Sequence, residues 1–278
     1  MKIRISLVHY LNSAPLGWAF HHGPFREMFD VIPSSPAVCA DQLAKGEVDI
    51  GLIPSIEYQL IPNLQVIPDI SISSLREVRS ILMIRLKEKR KLSSIAIDTS
   101  SRTSAALIKV FLQEKLGIMP EYIPCPPNLD LMLNRCDAAL LIGDPALKVP
   151  INNYQVTDLA AEWVDWQKKP FVCAFWACSP DVASSSELSE IFLEAKVWGL
   201  NRRHEIAASY AQSLALPERF LEEYLTRNID YDMGPEHVEG LQTFYSLANR
   251  QKLISAHRPL HFVNAKEPLR IESASARG

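Results

Sequence analysis

One short segment of the sequence concentrates groups suited to binding an anion. Residues 98–104 read Asp-Thr-Ser-Ser-Arg-Thr-Ser, after an apolar run at 95–97 and before a helical pattern over 105–115. Backbone N–H groups and the dipole at a helix start favour an anion, and an arginine fork pairs well with a carboxylate. One hydroxyl is enough to cap a helix, so the longer run favours a carboxylate site over a plain cap. The residues predicted to form this site are Ser100, Ser101, Arg102 and Thr103.

Polar side chains also stand near the ends of other predicted strands. In open α/β sheets ligands bind beyond the carboxyl ends of the strands, so these positions are candidates for the same site. Each also has an ordinary structural interpretation. Asn and Ser often form turns, Asp144 suits a helix cap, and Arg79 suits a surface ion pair. The additional candidates are Asn12, Ser13, Ser55, Arg79, Ser80 and Asp144.

Other chemistries lack the motifs that they need. His257 and His261 are four residues apart, but Pro259 lies between them, so they are expected to be surface residues and not metal ligands. The sequence has no glycine-rich nucleotide loop and no Gly-x-Ser-x-Gly nucleophile turn. Its five cysteines form no Cys-x-x-Cys, a pattern typical of reduced thiols in a cytoplasmic protein.

Charge and hydropathy argue against two classes of partner. The net charge is −3 without a basic block, so there is no electrostatic footprint for nucleic acid. No apolar run approaches the ~20 residues of a membrane span. Residues 1–8 alternate like a strand and do not form a signal peptide. We therefore expect a cytoplasmic protein that binds a small molecule, with its oligomeric state left open.

Two copies of one pattern organise the first half of the chain. A predicted helix over 36–45, ended by Gly46, precedes a buried strand at 48–53. A second predicted helix over 129–135 precedes another buried strand at 137–142. We interpret the repetition as two related lobes, with coincidence as the alternative.

The boundaries of the lobes follow from two predicted crossings of the chain. The charged stretch at 87–94 suits an exposed crossing between lobes, and 171–176 suits the return. The prediction is a discontinuous first lobe, 1–85 plus 176–278, and a second lobe of 86–175. Apolar residues at helical spacing predict that the last part of the chain is helical over 186–213, 217–226 and 235–250.

Several motifs, taken in order, resemble those of one enzyme family. They are Tyr10-Leu11-Asn12-Ser13-x-Pro15, Gly51-Leu52-Ile53-Pro54-Ser55-x-Glu57-Tyr58, Val78-Arg79-Ser80-Ile81-Leu82, Asp98-x-Ser100-Ser101-Arg102-Thr103-Ser104, Leu141-Ile142-Gly143-Asp144-x-Ala146-Leu147, Asp158-Leu159-Ala160-x-Glu162-Trp163 and Pro170-Phe171-Val172-x-Ala174-x-Trp176. Over about residues 5–178 the sequence resembles the chorismate dehydratases of the futalosine route to menaquinone.

This resemblance implies both a fold and a reaction. The fold is a two-lobed α/β architecture of the periplasmic-binding-protein type II class, with an interlobe cleft and C-terminal helices. The reaction removes water from chorismate to give 3-[(1-carboxyvinyl)oxy]benzoate, without a metal or organic cofactor. Asn12 and Ser80 are then expected to hold the substrate. The proton acceptor is either Asp144 or the enolpyruvyl carboxylate of the substrate itself.

Two other functions fit the same fold. One is a non-catalytic carboxylate-binding protein, but a transport receptor is expected to carry an export signal and a regulator a helix-turn-helix, and the sequence shows neither. The other is the sibling 1,4-dihydroxy-6-naphthoate synthase. That enzyme family is expected to have a histidine base where this chain has Gly143-Asp144, so the sequence favours dehydration.

Overall fold

The computed structural model describes residues 2–89, 91–183, 187–255 and 257–264, and its strands form two five-stranded sheets. The strands are β1 (Ile3–Val8), β2 (Phe29–Ser34), β3 (Ile50–Pro54), β4 (Gln65–Ser74), β5 (Ile81–Arg85), β6 (Ser94–Asp98), β7 (Glu121–Cys125), β8 (Ala138–Ile142), β9 (Gln155–Asp158) and β10 (Phe171–Cys178).

The two sheets share one topology. The first has the order β2-β1-β3-β10-β4, and the second has the order β7-β6-β8-β5-β9. In each sheet three parallel strands are followed by an antiparallel fourth strand, which is β10 in the first sheet and β5 in the second. The fifth strand pairs antiparallel with the fourth. This shared order is the structural counterpart of the repeated helix–strand pattern in the sequence.

Helices cover the sheets and make up most of the C-terminal part. They are α1 (Ala14–His22), α2 (Pro36–Ala44), α3 (Thr103–Val110), α4 (Leu129–Arg135), α5 (Gly143–Leu147), α6 (Leu159–Gln167), α7 (Pro180–Ala183), α8 (Leu188–Leu200), α9 (Arg203–Leu214), α10 (Glu218–Glu223) and α11 (Pro235–Arg250). Single 3₁₀ turns occur at Leu11–Ser13, Ser55–Gln59 and Ile151–Asn153, and π turns at Phe111–Lys115 and Tyr224–Asn228.

Burial explains why the short apolar runs form strands. All five residues of β3 are buried, as expected for a central strand covered on both faces. In β5 the side chains alternate between two hydrophobic clusters: Ile81 and Met83 join the large core, whereas Leu82 and Ile84 join a smaller one on the other face. This alternation follows from the two-residue period of an extended chain.

The predicted helix ends are confirmed in one place and wrong in another. Gly46 follows α2 with φ of 69°, the left-handed conformation that glycine adopts without steric cost. The helical region predicted over 186–213 is two helices, because the backbone leaves the helical conformation at Arg202 (φ −117°, ψ 22°). There the Arg202 guanidinium stacks on the Trp198 ring, 3.7 Å from its centroid.

Strand pairing places the predicted crossings differently along the chain. The sequence assigned 81–85 to the first lobe, but β5 pairs with β8 and β9 in the second sheet. The charged stretch at 87–94 therefore connects two strands of one sheet. Since β10 as a whole belongs to the first sheet, we propose that the chain crosses between lobes within 75–80 and 159–170.

In the part of the chain that the structure describes, no helix has both the length and the apolar character needed to cross a membrane. Each of the five cysteines is a free thiol. Four are buried, and Cys173 is half-buried.

The packing of α8 on α1 depends on Gly199. A Cβ atom at this position would lie 1.8 Å from the carbonyl oxygen of Pro15 in α1. Gly199→Ala is expected to lower the free energy of unfolding by about 2 kcal/mol, since an overpacking cost of about 3 kcal/mol outweighs the ~1 kcal/mol gain in helix propensity. Urea denaturation measures the change.

The control variant is Gly46→Ala, where no atom lies within 4 Å of the new Cβ and only the positive φ resists it. That strain costs about 1–2 kcal/mol. A Gly199→Ala variant at least as stable as the wild type would show that the contact between α8 and Pro15 relaxes freely.

Candidate ligand-binding site

A cleft lies where the two sheets face each other. Its cavity volume is about 60 Å³, so the two lobes lie close together in this structure. Val8, Pro54 and Ile72 from the first sheet and Ile81 and Ile142 from the second supply apolar walls. The polar residues that line this interlobe cleft are Tyr10, Asn12, Ser80, Ser101, Arg102, Thr103, Ser104 and Cys173.

The cleft contains polar groups because four buried strands end there and each leads within a few residues to a helical turn. β1 leads to the turn at Leu11–Ser13, β3 to Ser55–Gln59, β6 to α3, and β8 to α5. The first N–H groups of a helix have no acceptor within that helix. No side chain caps the first turn of α3. The beginning of α3 therefore offers N–H donors to a ligand in the cleft.

The buried carboxyl of Asp98 organises the loop that precedes α3. Its Oδ1 accepts hydrogen bonds from the backbone N–H (2.9 Å) and hydroxyl (2.7 Å) of Ser100, and its Oδ2 accepts one from the N–H of Ile142 (3.4 Å). Burial raises the pKa of Asp98 above its usual value. The hydroxyl of Ser100 therefore donates its proton within the loop and helps to hold the loop in shape.

Arg102 lines the cleft, but its guanidinium is paired within the protein. Nη1 lies 3.0 Å from Oε2 of Glu57, and Nη2 lies 2.7 Å from Oδ1 of Asp41. Both carboxylates belong to the first lobe, whereas Arg102 immediately precedes α3 of the second lobe. Glu57 is buried. Arg102 therefore joins the lobes, and two of its donor nitrogens are already occupied.

Two further contacts between hydroxyl groups cross the cleft. Thr103 Oγ1 accepts a hydrogen bond from the N–H of Ile56 (3.2 Å) and lies 3.4 Å from Oγ of Ser55. The hydroxyl of Tyr10 lies 3.2 Å from Oγ of Ser100. Thr103 and Ser55 thus contribute to the contact between the lobes, and Thr103 also lines the cleft.

Two buried polar atoms at the cleft have no hydrogen-bond partner. They are Oδ1 of Asn12, from the first lobe, and Oγ of Ser101, from the second. A buried polar atom without a partner costs about 1–3 kcal/mol. A ligand in the cleft that hydrogen-bonds to both atoms would recover that cost, which makes these two residues the strongest candidates for direct contact.

Besides Ser55 and Ser100, three predicted site residues do not line the cleft. The hydroxyl of Ser13 donates to backbone carbonyls of its own turn, including that of Tyr10 at 2.6 Å. Arg79 pairs with Glu77 (3.5 Å) on an outer surface. Asp144 accepts a hydrogen bond from the N–H of Leu11 (2.9 Å) and borders a separate outer groove. Local turn and helix geometry directs each of these side chains away from the cleft.

The lining also limits the chemistry. Among the described residues that line the cleft, no side chain is a carboxylate or an imidazole. The described residues likewise contain no group of three or more His, Cys, Asp or Glu side chains placed to hold a metal ion. The groups that the described lining offers to a ligand are therefore mainly hydroxyl, amide and N–H groups.

Some residues at the cleft carried no clear signal in the sequence. The ring of Tyr10 packs over Gly143, whose φ of 59° and lack of a Cβ permit the close approach; a Cβ there would lie 2.4 Å from the ring. Both residues belong to motifs noted in the sequence, but they lie far apart along the chain. Tyr224, which donates a hydrogen bond to Ser80, lies in the helical C-terminal region and had no local motif.

The fold and this cleft define a two-lobed α/β protein of the periplasmic-binding-protein class. The chain matches a protein of Archaeoglobus fulgidus with a TM-score of 0.75 at 18% identity, over 91% of this chain and 98% of that one. It matches the periplasmic aliphatic sulphonate binding protein of Escherichia coli with a TM-score of 0.64 at 15% identity, over 99% and 98%.

Sequence similarity identifies the family. Residues 3–250 match the family model described as menaquinone biosynthesis. The chain is also 32% identical over 258 residues to a protein of Thermus thermophilus named chorismate dehydratase, covering 86% of this chain and 93% of that relative. The chain belongs to the menaquinone biosynthesis family, and the family resemblance predicted from its motifs is confirmed.

The position of Asp144 generates a prediction about pH. Burial raises the pKa of its carboxyl from 3.8 to about 6, although the hydrogen bond from Leu11 and the nearby His9 and Lys148 lower it. An acid whose pKa is higher in the folded state holds its proton more tightly there. Its ionisation therefore removes stability as the pH rises from about 4 to about 6.

We expect Asp144→Asn to match the wild type in stability near pH 4 and to exceed it by about 1–3 kcal/mol above pH 6. The amide oxygen of the variant can still accept the N–H of Leu11. Urea unfolding at several pH values measures the difference. A destabilisation of the variant that grows as the pH rises above 4 would instead show that the charge of the carboxylate strengthens its bond to Leu11 more than burial penalises it.

Proposed function

We propose that this protein is a chorismate dehydratase, which converts chorismate to 3-[(1-carboxyvinyl)oxy]benzoate and water. The observation that carries the proposal is its identity, over nearly the whole length, with the relative of that name from Thermus thermophilus. The cleft supports it independently, because it offers hydroxyl, amide and N–H groups that could hold a dianion.

The first turn of α3 is the proposed seat of one carboxylate of chorismate. Its N–H groups lack a side-chain cap, and the unpaired hydroxyl of Ser101 stands immediately before it. A carboxylate at a helix start is favoured by the helix dipole and by direct N–H donation. Ser100, Arg102 and Thr103 shape this seat through their contacts with Asp98, Glu57 and Ile56.

Asn12 and Ser80 are proposed to hold the hydroxyl group that departs. Oδ1 of Asn12 is an unpaired acceptor, and the C4 hydroxyl is the only hydrogen-bond donor on the chorismate dianion. Ser80 supplies the complementary donor, since its hydroxyl lines the same cleft. The C4 oxygen would then donate to Asn12 and accept from Ser80.

Dehydration removes the C4 hydroxyl and the C3 proton and leaves an aromatic ring, so the product supplies much of the driving force. The protein must orient the substrate and assist the departing oxygen. Orientation alone contributes about 7–11 kcal/mol in favourable cases. A positioned donor to the leaving oxygen adds about 10²–10⁴-fold in rate.

The enolpyruvyl carboxylate of the substrate is the proposed acceptor of the C3 proton. It is carried on the oxygen attached to C3, within reach of that proton. The lining of the cleft supports this choice, because no described lining residue is a carboxylate or an imidazole. Asp144, the alternative base, borders another groove and is bonded to the N–H of Leu11.

The direct test is to incubate the purified protein with chorismate and follow the products by chromatography and mass spectrometry. We expect the benzoate product, which is lighter than chorismate by the mass of one water molecule. Saturable binding of chorismate without turnover would favour the non-catalytic binding protein instead.

The proposed carboxylate seat predicts a loss of affinity in Ser101→Ala. Removing a hydrogen bond to a charged group costs about 1.5–3 kcal/mol, so the Kd for the benzoate product should rise at least about tenfold. Isothermal titration calorimetry measures the Kd. Ser189→Ala is the matched control, because Oγ of Ser189 is also buried and unpaired but does not line the cleft. Equal affinities for both variants would exclude Ser101 from the seat.

The proposed proton acceptor predicts which substitutions slow the chemical step. In single-turnover experiments Asp144→Asn should retain most of the wild-type rate, whereas Asn12→Ala and Ser80→Ala should lose about 10²-fold or more through misplacement of the leaving group. A loss of that size confined to Asp144→Asn would identify Asp144 as the base.

A further inference from the structure

The hydroxyl of Ser80 has a buried partner in the C-terminal helices. Tyr224 is fully buried, and its hydroxyl donates to Oγ of Ser80 across 2.7 Å. Burial raises the pKa of Tyr224 well above its usual value, so the phenol keeps its proton and acts as the donor. The second contact of Ser80 is longer, because its own hydroxyl reaches the carbonyl of Val78 at 3.3 Å.

This arrangement determines where the proton of Ser80 can point. One lone pair of Oγ is taken by Tyr224, so the serine proton must be directed elsewhere. Rotation about the Cβ–Oγ bond moves it from the distant carbonyl of Val78 towards the cleft that Ser80 lines. A serine that accepts a hydrogen bond from a phenol is also a stronger donor, because hydrogen bonds in a chain polarise one another.

The backbone just before Ser80 is held by residues of both lobes. The carboxyl of Asp158 accepts the N–H groups of Val78 (2.9 Å) and Arg79 (2.7 Å), which holds Arg79 in a left-handed conformation with φ of 58°. From the other side, Nδ2 of Asn228 donates to the carbonyl of Glu77 (3.1 Å).

Tyr224 and Asn228 are the first and last residues of one π turn, Tyr224–Asn228. A π turn is a departure from regular helix geometry that occurs frequently at functional sites. Here it directs one side chain to the hydroxyl of Ser80 and another to the backbone three residues before it.

We propose that Tyr224 is a positioning residue for the dehydration: it orients and polarises Ser80, so that the serine donates its hydrogen bond to the departing C4 oxygen. The inference rests on the proposed function. No proton leaves Tyr224 in this step. The donor matters most when negative charge develops on the leaving oxygen, so Tyr224 affects turnover more than substrate binding.

A double-mutant cycle on the full-length chain tests this role. Tyr224→Phe keeps the buried ring and removes only the hydroxyl. We expect it to lower kcat for chorismate about five- to tenfold, the usual worth of one hydrogen bond, with KM within about twofold of the wild type. In the Ser80→Ala background the same substitution should cause no further loss, because the group through which it acts is gone.

Tyr58→Phe is the control for a purely structural effect. Tyr58 is as deeply buried as Tyr224, and its hydroxyl donates to the carbonyl of Pro259 (3.0 Å) and accepts the N–H of His261 (2.9 Å), outside the cleft. This variant should lower the melting temperature and leave kcat unchanged. A fall of kcat in Tyr58→Phe equal to that in Tyr224→Phe would reduce the role of Tyr224 to stability.

The outcomes separate this inference from the proposed function. If the wild type does not dehydrate chorismate, the proposed function fails, and the role of Tyr224 in that reaction fails with it. If the wild type is active but Tyr224→Phe costs the same factor with and without the Ser80 hydroxyl, only the inference fails.

Discussion

The ion pairs of Arg102 are the interaction on which the interlobe cleft depends. Arg102 immediately precedes α3 of the second lobe, and its guanidinium contacts the first lobe at Glu57 (3.0 Å) and Asp41 (2.7 Å). Glu57 is buried, and burial raises its pKa above the usual range. Without Arg102 its charge would lie uncompensated beside the cleft, a change that typically costs about 3–5 kcal/mol. The pairing thus fixes the separation of the lobes where the ligand must fit.

Because Arg102 is engaged in this way, an anion in the cleft must be held mainly by neutral groups. The first turn of α3, the hydroxyl of Ser101 and the amide of Asn12 are the groups left available. Such preorganised dipoles need no reorganisation when charge moves within the substrate. The described lining residues also include no carboxylate or imidazole that could accept the C3 proton. This agrees with the proposed use of the enolpyruvyl carboxylate of the substrate as the base.

The same architecture occurs in a protein named for sulphonate binding and in a family described as menaquinone biosynthesis. The fold alone therefore does not distinguish a binding protein from an enzyme. In this chain the distinction lies in how firmly individual donors are oriented. Asp158, Asn228 and Tyr224 together hold the segment that carries Ser80. A ligand needs only complementary contacts, whereas a leaving group needs a donor aimed at one oxygen.

The sequence by itself determined the family, the α/β class and several of the strands, because motifs and apolar runs are local patterns. It also located the loop before α3, whose residues are consecutive. Only the tertiary structure decided the roles within that loop: Ser100 bonds to Asp98, Arg102 pairs with Glu57, and Ser101 remains unpaired. It likewise moved β5 into the second sheet and brought Tyr224 to Ser80, 144 positions away. Each of these outcomes depends on partners distant in sequence, and periodicity and spacing carry no information about them.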